Sequence, residues 1–309
     1  MYSWLLESLS MRIVFIGAGA VGSWFAGNLA RSGGHEHDIS VVARGQTLEA
    51  LRHRGIVLNG EAPIPVHTVE HVSEVTDADI VVLAMKATGG DLDQTLAGIS
   101  DRALVAVTQN SVEVPHRVAE VVGTHRTLPG VVRGYFHHEG PAKAEFHGGP
   151  CSLTIGTWDG RDDERVSAFA TALDAAGIDG IVRDDIFVDV WEKAMFVTCA
   201  GVLGAVVDAP LGVLRQRPWR ATLVALMEEV AATGRAMGVP LSLDVVDRTM
   251  DFADSMPAES TTSMQRDIAA GNPGEIDSQA GAIVREAGRG GGGAPLHEFA
   301  INLILSRLG

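Results

Sequence analysis

The feature that most constrains this chain is Gly17-Ala18-Gly19-Ala20-Val21-Gly22, which follows the β-branched run Met11 to Ile16 and opens a helical pattern from Ala20 to Arg31. Between a strand and a helix, a GxGxxG spacing has a physical reading. Gly17 permits a tight turn, Gly19 lets a pyrophosphate approach the backbone, and Gly22 lets helix and strand pack closely. The N–H groups that open the helix then face the anion. Gly17, Gly19, Ala20, Val21 and Gly22 are therefore the expected dinucleotide-binding turn.

Ile39 to Ala43, Asp79 to Met85 and Ala103 to Thr108 are further short apolar runs, each suited to a strand buried on both faces and separated by helical patterns. That alternation predicts a parallel α/β sheet. From Arg133 to Gly156 the Gly-Pro punctuation suggests a meander appended to the sheet. Beyond Asp184 the pattern is helical over Ile186 to Val207, Trp219 to Gly238, Leu243 to Ser255 and Ile276 to Ala287, with a loop at Gly290 to Gly293 before a last helix, Leu296 to Leu308. The helix at the glycine turn is expected to stop at Gly33-Gly34. The expected organisation is an α/β N-terminal Rossmann-type domain over 11–184 and an all-α C-terminal domain over 185–309, the latter for substrate or dimerisation. The first ten residues read as an extension ahead of the first strand, with Met11 a candidate start.

A net charge of −15 argues against a nucleic-acid partner, since no basic run offers a local groove. Cys151 and Cys199 form no CxxC or Cys/His spacing, and no metal site is expected; His35 and His37, flanking Glu36, read as a solvated loop. The uncharged stretch Ala194 to Val207 is shorter than the roughly 20 residues of a membrane span, so no membrane partner is expected; the two separated cysteines make a reducing cytoplasm the default location.

Which dinucleotide binds depends on the end of the second strand. An acid there would accept from the ribose 2′-OH of NAD, but the strand runs into Arg44 instead. A guanidinium suits a 2′-phosphate, so NADP(H) is the expected cofactor.

At this point the chain resembles the ketopantoate reductase family. The carriers are GAGAVGSWFAGNLA at 17–30, VVLAMKA at 81–87, TQNSVE at 108–113, PAKAEFHGG at 141–149, WEKAM at 191–195 and TTSMQRDIAAGNPGEID at 261–277. The resemblance covers both expected domains. It implies NADPH-dependent reduction of a 2-keto acid to a 2-hydroxy acid, ketopantoate to pantoate in pantothenate biosynthesis, at a site between the domains. A homodimer is a further possibility.

Residue by residue, the resemblance implies that Lys193 polarises the substrate carbonyl and protonates the alkoxide, with Glu275 holding a substrate hydroxyl and tuning the lysine. Asn110, Ser263 and Lys86 are implied at the substrate, and Lys86, Asn110 and Glu275 at the cofactor as well. Each has a plainer alternative. Lys193 suits a snorkelling lysine, Glu275 a solvated helix-start carboxylate, Asn110 a turn residue, Lys86 a strand-end charge and Ser263 a helix N-cap. Three departures stand out: Val197 and Gly201 occupy positions where the family usually has asparagines, and Ser260 replaces an expected polar residue. In addition, Gln109-Asn110-Ser111 stands for the family's Gln-Asn-Gly. One and two turns past Lys193, Val197 and Gly201 should make the substrate strip smaller and more apolar, favouring a less hydroxylated keto acid or keto ester. Two readings from other classes stay open, a weakly catalytic NADP-binding sensor and an opine-type reductive condensation.

Overall fold

The computed structural model describes residues 10–32, 37–88 and 92–309, so most of the N-terminal extension, Gly33-Gly34, His35 and Glu36 lie outside the described residues. The chain forms two compact units. One holds residues up to Met85, a stretch ending at Gln109, and Pro115–Ile186; the other holds Phe187–Gly309 plus a short segment starting at Lys86 and the segment Asn110–Val114.

In the first unit the order is β1 (Met11–Ile16), α1 (Ala20–Ser32), β2 (His37–Val42), α2 (Gly45–Arg54), β3 (Val57–Leu58), β4 (His67–Val69), β5 (Ile80–Leu83), α3 (Leu92–Leu96), β6 (Leu104–Val107) and α4 (Val114–Val122). It continues with β7 (Thr127–Arg133), β8 (Phe136–Gly140), β9 (Lys143–Phe146), β10 (Ser152–Ile155), α5 (Glu164–Ala175) and β11 (Asp179–Val182). Eight strands form one sheet in the order β11-β10-β7-β6-β5-β1-β2-β4. All neighbours are parallel except β7 and β10. β5 and β6 are buried at every position, as uninterrupted apolar runs require of strands covered on both faces.

The expected meander resolves differently. β8 and β9 pair with β3 in a second, three-stranded sheet, and β10 returns to the main sheet antiparallel to β7. The small sheet packs on α1, which explains why α1 is buried from Gly22 to Leu29 rather than on one stripe alone. Trp24 meets Phe136 at 6.0 Å and Phe146 at 5.2 Å between ring centroids, and Phe25 meets Phe136 at 5.9 Å. Such pairs contribute about 0.5–1.5 kcal/mol each beyond area burial. The polar groups caught in this helix are satisfied locally, Ser23 Oγ donating to Ala18 O and Asn28 Nδ2 to Trp24 O.

The second unit is helical: α6 (Ile186–Val207), α7 (Leu211–Leu214), α8 (Trp219–Ala236), α9 (Val245–Ser255), α10 (Ser263–Ala269), a π-helical turn Asp277–Gly281, α11 (Ala282–Arg289) and α12 (Pro295–Leu308). α6 is long and apolar enough to cross a membrane by length and composition, but most of it is buried inside the protein, as a core helix is. At the start of α12, Pro295 has no N–H to offer and Ala294 no capping side chain. Glu229 of α8 satisfies the next two donors, accepting from Leu296 N at 2.8 Å and His297 N at 3.1 Å, and it pairs with His297 Nδ1 at 2.7 Å. Cys199 lies 3.8 Å from the other ring nitrogen, and burial holds its thiol well above the usual pKa, so it is a packed group rather than a thiolate.

Candidate active site

The glycine turn shows why each of its glycines is there. Gly17 has φ of 103°, and a Cβ on it would sit 3.0 Å from Met85 N. A Cβ on Gly22 would lie 2.0 Å from Gly17 O and 3.0 Å from the Ala84 side chain, so only hydrogen lets α1 start this close to β5. Around Gly19, by contrast, a Cβ would meet nothing within 4 Å. The backbone there opens onto free space, which is what a diphosphate approaching the turn needs. Ala20 and Val21 begin α1, and the first N–H groups of a helix have no partner within it. The local shape therefore fits a dinucleotide phosphate. Arg44 stands exposed and extended just past β2, immediately ahead of α2, with no acid between it and Glu49.

The other residues expected at the site fall in the helical unit, Lys86 and Asn110 included. Lys86 Nζ pairs with Asp267 Oδ2 of α10 at 2.7 Å. The pair is partly exposed and worth little as stability; in this structure it turns the ammonium toward α10. One residue on, Ala87 N donates to Glu275 Oε1 at 3.0 Å. Glu275 stands at a helix start, as its plainer alternative supposed, but it is only 6% exposed and accepts from a backbone donor. These two bonds bring Lys86, Glu275 and α10 together.

Ser263 is the first residue of α10 and is exposed; the N-cap is Thr262, whose side chain accepts from Gln265 N at 3.1 Å. The capping role proposed for Ser263 thus belongs to its neighbour. Half-buried Asn110 precedes Ser111, whose buried Oγ accepts from Glu113 N at 3.2 Å and Val114 N at 3.4 Å. The side chain that stands in place of the family's glycine therefore bonds the backbone that leads into α4. Lys193 is half-buried on α6, beside Glu192, which pairs with Arg248 at 2.5 Å.

Gly201 does not add the small, apolar surface past Lys193 that was expected of it. Gly201 is buried, and a Cβ there would lie 2.4 Å from Met264 Cε and 3.0 Å from Thr262 Oγ1. Three residues along the same helix, Gly204 receives the Gln265 side chain, whose Nε2 donates to Gly204 O at 3.3 Å and Ala209 O at 3.0 Å. Two glycines one turn apart thus let the start of α10 settle on α6, and Met264 fills the volume a side chain at 201 would take. Gly201→Asn should cost roughly 1–3 kcal/mol, the usual scale of overpacking, and adding Met264→Ala should recover most of it. Urea unfolding checks this; a Gly201→Asn protein as stable as wild type would remove Met264 as the obstacle.

Sequence reasoning assigned no role to Asp267, Thr262 or Met264. Asp267 was visible as an acid within TTSMQRDIAAGNPGEID, but its lysine partner is 181 residues away.

Comparison with known proteins bears on the same regions. Residues 13–160 match the family described as Ketopantoate reductase PanE/ApbA, and residues 185–307 match Ketopantoate reductase PanE/ApbA C terminal. A 2-dehydropantoate 2-reductase of Mesorhizobium japonicum is 30% identical over 305 residues, covering 90% of this chain and 92% of that protein. The crystal structure of 2-dehydropantoate 2-reductase from Methylococcus capsulatus superposes with a TM-score of 0.86 at 26% identity, covering 96% of both chains. A D-mandelate dehydrogenase, solved with NADH and anilino(oxo)acetate, shares the fold at a TM-score of 0.81 and 22% identity, over 96% of this chain and 98% of the other. With a parallel-sheet unit and a helical unit each matched in turn, and a relative aligned along nearly its whole length, the chain belongs to the ketopantoate reductase family of oxidoreductases.

Proposed function

We propose that the chain is an NADPH-dependent reductase that converts a 2-keto acid to a 2-hydroxy acid, with a substrate less hydroxylated than ketopantoate. The observation that carries the reading is the joining of Lys86, Glu275 and α10 by the Lys86–Asp267 and Ala87–Glu275 bonds, which gathers cationic, acidic and hydroxyl groups in one unit. Bound NADPH would supply a hydride to the carbonyl carbon. Held by Gly17, Gly19, Ala20, Val21 and Gly22, its diphosphate would face unpaired helix N–H groups, with Arg44 on the 2′-phosphate.

The rest is work for side chains. The Lys193 ammonium polarises the carbonyl and donates its proton to the oxygen as that oxygen gains charge. Ser263 and Asn110 offer hydrogen bonds to the polar end of the substrate, while Lys86, oriented by Asp267, adds positive charge that suits a carboxylate. Glu275, also implied at the cofactor, holds a hydroxyl. On α6, Val197 and Gly201 carry no amides and Met264 closes off Gly201, so a hydroxyl-rich substrate side chain finds no hydrogen-bonding partner at either position. D-Mandelate dehydrogenase shows that the fold also serves a 2-hydroxy acid with an aromatic group, and its solved form carries NADH.

One set of assays tests both halves: kcat/KM for NADPH and NADH in wild type and Arg44→Ala, across 2-keto acids that include ketopantoate. NADPH should lead by about tenfold to a hundredfold, as one charge-assisted phosphate contact supplies, and Arg44→Ala should erase most of that lead. Equal use of NADH in the wild type would discard the cofactor assignment. Ketopantoate beating every less polar keto acid would discard the substrate assignment and leave the family activity.

A further inference from the structure

The geometry points to Arg285 as a positioning residue that ties the segment bearing Asn110 to the turn bearing Glu275. The inference rests on the function proposed above. Arg285 Nε lies 3.1 Å from both carboxylate oxygens of Glu113, and Nη2 lies 2.7 Å from Glu113 Oε2. With its other edge Arg285 reaches the turn after Glu275, Nη1 donating to Asp277 Oδ1 at 2.8 Å and Nη2 to Asp277 O at 3.0 Å. Glu113 follows Asn110 by three residues and Asp277 follows Glu275 by two. A single guanidinium thus holds both flanking segments, and Arg289 adds a second cation to Glu113 at 3.2 Å.

Three features show that the linkage is built in. Glu113 is only 7% exposed, so its charge depends on these partners. Asp277 and Arg285 are eight residues apart, two turns along one face, with Gly281 between them. A Cβ on Gly281 would sit 2.8 Å from Asp277 Oδ1 and 3.0 Å from Arg285 Nη1, so glycine leaves room for the Asp277–Arg285 side-chain contact. The π-helical turn Asp277–Gly281 lies in this span, and such turns recur where a helix must aim a functional group. A planar fork is needed, because an ammonium cannot grip Glu113 at two oxygens while also bonding Asp277.

The test compares wild type, Arg285→Met, Arg285→Lys and Gly281→Ala. Hydrogen exchange read by mass spectrometry should show residues 110–114 and 275–281 losing protection together in all three variants, while the strands of the first unit stay protected. In 2-keto acid reduction kcat should fall and KM rise, together about 10²-fold in kcat/KM, the scale set by a misplacement of about 1 Å; Lys should not rescue. Gly281→Ala crowds the Asp277 Oδ1–Arg285 Nη1 contact without removing a charge, so it serves if loss of Arg285 prevents folding. Wild-type turnover of no 2-keto acid would overturn the function itself, whatever the exchange shows. Turnover or protection unchanged in Arg285→Met or Gly281→Ala, with wild type active, would overturn the positioning role alone.

Discussion

Lys193→Ala is expected to lose about two to four orders of magnitude in kcat, the range of a missing general acid, while NADPH binds as in wild type. The lysine is the one residue asked both to polarise the carbonyl and to protonate it, so its removal deletes two contributions at the same atom. Lys193→Arg should not restore the rate, because a guanidinium keeps a positive charge near the oxygen yet does not give up its proton at neutral pH. Steady-state rates with saturating NADPH, beside cofactor affinity from nucleotide fluorescence, separate the two effects. Normal turnover by the alanine variant would end the assignment. A loss confined to cofactor affinity would move Lys193 from chemistry to binding.

The second large effect is expected at the glycine turn, where two substitutions of one methyl group should behave differently. In Gly22→Ala the new Cβ would lie 2.0 Å from Gly17 O, so the backbone of the turn itself must shift. Overpacking of this kind costs about 1–3 kcal/mol, and both thermal stability and NADPH affinity should fall. In Gly19→Ala the Cβ enters space with no protein atom within 4 Å. Stability should be unchanged and only NADPH affinity should drop, since the methyl group takes room meant for the diphosphate. Melting temperature and NADPH Kd, measured on both variants, decide the matter. A Gly19→Ala protein that binds NADPH like wild type would mean that the ligand does not approach the turn at Gly19.

Much of the α/β architecture was legible because it is written in local patterns. β-Branched runs of strand length, the glycine turn after Ile16 and helical periodicity after Asp184 each depend on residues a few positions apart, and β1 and α1 begin where those patterns place them. The small sheet over α1 was less legible. β3 is only two residues long, and its pairing with β9 joins segments with no shared periodic signal. Similarly, the π-helical turn after Glu275 looks like ordinary helix in sequence, since a single inserted residue barely disturbs the apolar period.

Read along the chain, the fold class and the glycine turn after β1 were already decided, and the resemblance supplied the residue types a keto acid reductase would use. Tertiary structure decided what those residues touch. The partners of Lys86, Ala87 and Glu113 lie 181, 188 and 172 residues away, a separation over which no local pattern operates. The same holds for Gly201: read along the chain it is an absent side chain, and read in space it is the seat of Met264. Loss of a side chain empties a position only if nothing else packs there, and close packing leaves few such vacancies.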